Sequence, residues 1–152
     1  MSTKNIATNR RARFDFEIVE TLEAGIVLLG SEVKSLRNGR ADLKDSYAAV
    51  EKGELWLHGL RISPYEFAPE GGHDPERDRK LLVHRQEIDK IGSKLAERGL
   101  SLIPLKLYFK DGRAKVELGL GKGKTRYDKR ETLKRRQADR EMQRAMRHKS
   151  ID

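Results

Sequence analysis

Chemistry on a substrate needs a nucleophile, a proton carrier or a metal cage, and this chain supplies little of each. It has no cysteine, and its four histidines, His58, His73, His84 and His148, are widely separated. No HExxH, paired-cysteine, Walker or G-x-S-x-G pattern occurs. Glu32, Asp42 and Asp45 can in principle gather a divalent metal for nuclease chemistry. Their spacing does not require it: Asp42 and Asp45 read as turn and capping residues ahead of a strand at Tyr47, and Glu32 as a first-turn helix residue favoured by the helix dipole. The run Gly119-Leu120-Gly121-Lys122-Gly123-Lys124 resembles a phosphate-cradling loop only superficially, because it follows a strand and neither the required following helix nor the required Ser/Thr placement is expected, so it reads as a flexible basic linker. The expectation is a protein with no catalytic residue, no metal and no cofactor, and therefore not an enzyme.

Positive charge, by contrast, is plentiful. Lys and Arg number 33 against 24 Asp and Glu, a formal +9 that attracts polyanions. The excess is concentrated: residues 122–152 hold 12 Lys/Arg against 5 Asp/Glu, a net of +7, and residues 1–121 net only +2. A basic tail of this kind serves equally well against aggregation or for binding, so the neighbouring motifs decide. Arg10, Arg11 and Arg13, with Lys34, Arg37 and Arg40, are candidates for one basic face, and Lys34 and Arg37, three apart, are neighbours on a helix. A carboxylate such as Glu32 can accept hydrogen bonds from base amino groups, a selectivity that cations lack. Aromatic residues number nine, and Phe14, Phe16, Trp56, Tyr108 and Phe109 fall in strand patterns where core is expected, which argues against a general base-stacking platform.

The elements that must position these groups are mostly strands. Phe14, Phe16 and Ile18, then Val19 and Leu22, alternate with a shift of phase, predicting a strand with a bulge or bend, and Glu23-Ala24-Gly25 a turn into a second strand. Ser31 as N-cap and Gly39 as stop predict a short helix over Glu32–Asn38. Two runs around Lys52-Gly53 predict one hairpin, and two around Asp111-Gly112 another. Leu81, Leu82, Ile88, Ile91 and Leu95 recur at helical spacings, predicting a helix within 76–98 closed by Gly99. The economical architecture is mainly β with peripheral helices: a small closed antiparallel barrel of oligonucleotide-binding (OB) type over residues 1–121, since closure removes exposed edges. Beyond Gly121 the apolar stripe Leu133, Ala138, Met142, Ala145, Met146 is thin, so residues 122–152 read as a tail disordered when free. Residues 1–13 are polar and basic and the longest aliphatic run is Ile26–Leu29, so neither a signal peptide nor a membrane span is expected, and the absence of cysteine is compatible with a reducing, cytoplasmic setting.

Several ordered segments carry a family resemblance. They are Asn9-Arg10-Arg11-Ala12-Arg13, Glu23-Ala24-Gly25-Ile26, Glu32-Val33-Lys34-Ser35-Leu36-Arg37, Asp45-Ser46-Tyr47, Ile62-Ser63-Pro64-Tyr65-Glu66, His73-Asp74-Pro75, Arg79-Lys80-Leu81-Leu82, Pro104-Leu105-Lys106-Leu107-Tyr108, Lys115-Val116, Gly121-Lys122-Gly123-Lys124 and Asp128-Lys129-Arg130. Together, and in this order, they resemble the SmpB family of SsrA-binding proteins, the protein partners of transfer-messenger RNA. The resemblance implies a barrel that holds the tRNA-like domain of that RNA, standing where the anticodon arm is missing. It also implies a tail that folds into a helix in the empty decoding centre and message channel of a stalled ribosome, where trans-translation tags the nascent chain.

Carried over by motif, Asn9, Arg10, Arg11, Glu32, Lys34, Ser35, Arg37, Lys122 and Lys124 are the expected RNA surface. Tyr127, Asp128, Lys129 and Arg130 match the start of the functional tail, with Tyr127 placed to stack on a decoding-centre base. Lys134, Arg135, Arg136 and Arg140 are expected to track ribosomal RNA. Elongation factor Tu and alanyl-tRNA synthetase are implied as partners through the RNA, with this chain a monomer. The chain departs from the family pattern at Phe14, where His is common, at Phe16, where Tyr is common, and at Asp42, where Asn is common and where an acid now stands close to Arg40.

Overall fold

A computed structural model describes residues 3–65, 67–68 and 72–151, the side chains at 97, 98, 126, 127 and 148–151 excepted. The element order is β1 (Thr3–Thr8), α1 (Ala12–Asp15), β2 (Phe16–Ile26), α2 (Gly30–Arg37), β3 (Ala41–Asp42), β4 (Tyr47–Glu51), β5 (Glu54–His58), β6 (Arg61–Ile62), β7 (Arg79–Leu82), α3 (Arg85–Arg98), β8 (Ser101–Lys110), β9 (Arg113–Gly123) and α4 (Arg126–Ile151). The fold is mainly β with helices at its periphery. Strands run β4–β5–β7–β2–β9–β8, and β8 returns to β4 through the pair Ala48 and Leu102, so the strands form a ring with β1 added to β8. Every pairing is antiparallel, and β3 and β6 make a separate two-stranded piece.

The ring closes around one core, in which Leu55, Leu57, Leu81, Leu102, Leu107, Val116, Leu118 and Leu120 meet Leu36 from α2 and Ile91 from α3. A second, smaller cluster lies on the outer side of β8 and β9, where Ala12, Ile103 and Leu105 pack with Phe16 and Ile18. The run Leu102–Leu105 therefore alternates between two buried faces, which is why it reads as continuously apolar. Gly119 and Gly121 permit this second layer. A Cβ at Gly119 would stand 3.0 Å from Leu105 and 3.2 Å from Ile18, and one at Gly121 would stand 3.0 Å from Phe16.

Those glycines correct the reading of Gly119–Lys124 as a flexible linker: β9 continues to Gly123, two residues past Gly121, and the glycines are packing positions in a strand. Both hairpins form as expected, with Lys52 and Asp111 at positive φ before their glycines. The phase shift in the first strand is a bulge between Ile18 and Glu20, but Glu23–Gly25 is not a turn, because β2 runs unbroken for 11 residues. The helix read within 76–98 is two elements. Arg79–Leu82 is β7, with Leu81 in the core between β5 and β2, and α3 begins only at Arg85. Short apolar runs do not distinguish helix from strand by spacing alone.

The tail departs most from expectation. Instead of a disordered segment, α4 is a 26-residue helix. Its start is a reciprocal cap: the backbone and hydroxyl of Thr125 donate to the Asp128 carboxylate, and the Asp128 amide donates back to the Thr125 hydroxyl. These bonds hold the Asp128 carboxyl below the usual aspartate range. Thr-x-x-Asp is a start signal that the thin apolar stripe obscured.

His58 ties three strands on the outer surface. Its Nδ1 lies 2.8 Å from Asp78, just before β7, and its Nε2 lies 2.8 Å from Glu51 on β4. With a carboxylate at each nitrogen both must donate, so the ring is held as imidazolium. The Asp78 bond raises its pKa above the ordinary 6.5, burial opposes this, and Glu51 adds to the rise. The clamp's stabilisation is then complete below pH 6.5 and is lost as pH rises through the higher folded-state value. The difference in urea midpoint between the wild type and His58→Gln should therefore be larger at low pH than at high pH; a difference independent of pH would refute the clamp.

Candidate nucleic-acid interface

Three groups of candidate residues are built in three different ways. On α2 the sequence-predicted set divides between inside and outside. Glu32 is wholly buried. Its Oε1 accepts from the Leu29 amide at 2.8 Å and from Arg77 at 2.6 Å, and its Oε2 accepts from Arg79 at 2.6 Å. Burial alone would raise its pKa, but the bonds from Arg77, Leu29 and Arg79 outweigh burial and hold it lowered. Leu29, two residues before Ser31, is the helix N-cap, and Glu32 supplies the N3 half of a capping box.

Arg79, also wholly buried, reaches on to the Leu60 and Pro75 carbonyls. Beside it, buried His73 faces the Ile62 carbonyl through Nε2 at 2.9 Å and the Ser31 hydroxyl through Nδ1 at 3.0 Å. The carbonyl can only accept, so Nε2 carries the proton and Nδ1 accepts from Ser31. Glu32 thus fastens α2 to the segment before β7 and offers no free oxygen to a base, which corrects its expected place on the RNA surface. Ser35 is likewise buried, its hydroxyl without a partner among the described residues. Lys34 and Arg37 remain on the outer face.

At the N-terminus, Asn9 is a structural joint. Its side chain donates to the Pro104 carbonyl at 3.0 Å and its amide to the Leu105 carbonyl. It is followed by Arg10 and Arg11, which line an open cleft of about 1070 Å³ together with Asp42, Lys44, Asp45 and Tyr47. Asp42 accepts from the Lys44 amide, the turn chemistry expected of it. With Glu32 buried in its own ion pairs, the nuclease triad does not assemble, and no group of three or more His, Asp or Glu positioned for a metal occurs among the described residues.

The third group forms where α4 leaves the body. Lys124 donates to the Arg13 carbonyl at 2.9 Å and to Thr132 at 2.7 Å, and its amide donates to the Asp15 carbonyl. Lys129 pairs with Asp15 at 3.2 Å, and Arg11 pairs with the same carboxylate at 3.5 Å. Burial would raise the Asp15 pKa, but Lys129 and Arg11 hold it below the usual range. Arg11, Lys129 and Arg136 also lie over the Phe14 ring at 5.1, 5.6 and 5.8 Å, close enough for cation–π attraction. The Phe14 ring thus gathers cations from α4 and from the segment before α1. The roles of Phe14 and Asp15 had no signal in the sequence, where Phe14 read as strand core.

Lys122, Arg130, Lys134, Arg135 and Arg140 are exposed, with Lys134 3.8 Å from Glu131. The side chain of Tyr127 lies outside the described residues. No described bond joins the α2 cations to the cluster at Phe14, so Lys34 and Arg37 form one basic group and Arg11, Lys124, Lys129 and Arg136 another. Among the described residues no helix is long and apolar enough to cross a membrane.

Comparison with known proteins gives one consistent result. The family model described as "SmpB protein" matches residues 6–148. An SsrA-binding protein of Geobacillus thermodenitrificans is 58% identical over 146 residues, 96% of this chain and 94% of the relative. One of Syntrophotalea carbinolica is 57% identical over 147 residues, 97% of this chain and 98% of the relative. A solved chain described as "tmRNA-SmpB: a journey to the center of the bacterial ribosome" superposes with a TM-score of 0.67 at 50% identity, covering 84% of this chain and 93% of that one.

Proposed function

The chain belongs to the SmpB family, and from that premise we propose that it is an RNA-binding adaptor. It binds the tRNA-like domain of transfer-messenger RNA and delivers that RNA to stalled ribosomes for trans-translation. The observation that carries this reading is identity of more than half the residues to SsrA-binding proteins over nearly the whole chain.

The ring of strands serves as a barrel of OB type, and residues 1–121 and 122–152 divide the work. The body supplies RNA selection. Arg10, Arg11, Lys34, Arg37, Lys122 and Lys124 meet phosphates, while Asn9, Glu32 and Ser35 act from inside by fixing the elements that carry those cations. The tail engages the ribosome. Asp128, Lys129 and Arg130 open α4, Tyr127 stacks on a decoding-centre base, and Lys134, Arg135, Arg136 and Arg140 follow ribosomal RNA along the message channel. The cluster at Phe14 and Asp15 parks part of this charge until ribosomal RNA replaces it. The protein makes and breaks no covalent bond and needs no cofactor. It works as a cytoplasmic monomer, meeting elongation factor Tu and alanyl-tRNA synthetase through the RNA.

The electrostatic part has a direct test in the salt dependence of binding to purified transfer-messenger RNA. Removing a cation that neutralises one phosphate should flatten the log-affinity against log-salt slope by roughly 0.7 to 0.9. Lys34→Ala and Arg37→Ala are each expected to produce that change; unchanged slopes would remove α2 from the interface.

A further inference from the structure

The aromatic residues expected in strands are all half-buried, and the largest exposed apolar surface on a single side chain lies elsewhere. Phe67 is 76% exposed, the most of any large hydrophobic residue among those described. It is not isolated. Its ring meets Tyr65 edge-on, with centroids 5.6 Å apart and planes at 68°. The Lys34 ammonium lies over the Tyr65 ring at 5.4 Å.

From this arrangement we propose that Phe67, backed by Tyr65 and flanked by Lys34, is a stacking site for an unpaired RNA base. The proposal rests on the RNA-binding reading above and adds a ligand class to a segment, Ile62–Glu66 and its continuation, to which that reading assigns no role.

The segment is fastened where it is described. The Ala68 amide donates to the Tyr65 carbonyl at 3.0 Å. Gly72, at φ +80°, closes against the same residues, so that a Cβ there would stand 3.4 Å from Ala68 and 3.6 Å from the Tyr65 amide nitrogen. Next to it, His73 is bonded to Ser31 on α2 and to Ile62. The aromatic pair is thereby coupled to the helix that bears Lys34 and Arg37. One face of Tyr65 is taken by Lys34, while Phe67 is open to solvent. A base on Phe67 brings its own phosphates toward the cations of α2, and that charge complementarity favours a nucleic acid over an apolar protein surface. Stacking on a ring accepts any base, so the site adds affinity for a splayed-out loop nucleotide and not for duplex.

The test is binding of the full chain to transfer-messenger RNA across a salt series. Because Phe67 is exposed, Phe67→Ala leaves the fold intact. It is expected to weaken binding by about 5- to 150-fold, the range for removal of one stack, with the salt slope unchanged because no charge is removed. Phe67→Trp should restore affinity, and ultraviolet cross-linking should attach RNA at Phe67 or Tyr65. Wild-type affinity in Phe67→Ala overturns the site, as does a weakening that Phe67→Trp does not repair. Failure of the wild type to prefer transfer-messenger RNA over unrelated tRNA would instead count against the adaptor reading, so the two failures are distinguishable.

Discussion

Glu32→Ala is expected to destabilise the fold by about 3–5 kcal/mol, the cost of breaking a buried ion pair from one side. The substitution leaves the buried guanidinium of Arg79 without its carboxylate, removes the carboxylate partner of Arg77, and frees the Leu29 amide at the start of α2. Burial already lowers the pKa of Arg79, with Glu32 opposing that shift, so losing Glu32 removes the group that keeps a buried cation tolerable. For a chain of this size the destabilisation amounts to a fall of roughly ten degrees in melting temperature. Lys34→Ala, two positions along on the outer face, should fall within about 0.5 kcal/mol of wild type. Because the Glu32 pKa is lowered in the fold, its contribution is present above the ordinary glutamate range and is lost as pH falls through the lowered value. The melting gap between wild type and Glu32→Ala should therefore narrow in acid. A Glu32→Ala protein that melts with the wild type would show that the network does not hold α2 in place.

The second large effect is on function. Truncation after Lys124 removes residues 125–152, which carry 10 of the 33 Lys and Arg. Neither apolar cluster of the body includes a residue of α4, and Leu133, Met142 and Met146 are exposed on it, so the remaining body should fold. The truncated protein is expected to bind transfer-messenger RNA with affinity close to wild type and to lose tagging of nascent chains on stalled ribosomes altogether. Arg11 and Asp15, freed from Lys129, remain on the body. Measured together, retained binding and absent tagging assign the tail to the ribosome; tagging that survives truncation would remove that assignment.

These two predictions fall on opposite sides of what could be read from the sequence. The hairpins were legible because Lys-Gly and Asp-Gly fix a turn locally, and the bulge in β2 because alternation slips by one at Ile18 to Glu20. The strand at Arg79–Leu82 was hidden because its Leu81 falls in phase with the helix that follows. In the sequence Glu32 and Ser35 read as one surface with Lys34 and Arg37, although residues so close along a helix point in different directions; only the long-range pairing with Arg77 and Arg79 reveals that Glu32 points inward. The helix α4 had a readable cap in Thr125 and Asp128, but its anchor, the Phe14 ring and the Asp15 carboxylate, lies more than 100 residues away in sequence. Charge totals mark residues 122–152 as basic and give no indication that part of that charge is already engaged.

The central claim is selective recognition of transfer-messenger RNA, and competition tests it most directly. With labelled transfer-messenger RNA bound to the full chain at fixed salt, unlabelled transfer-messenger RNA should displace it at far lower concentration than unrelated tRNA. Equal displacement by the two would contradict the account and leave a generic RNA-binding protein.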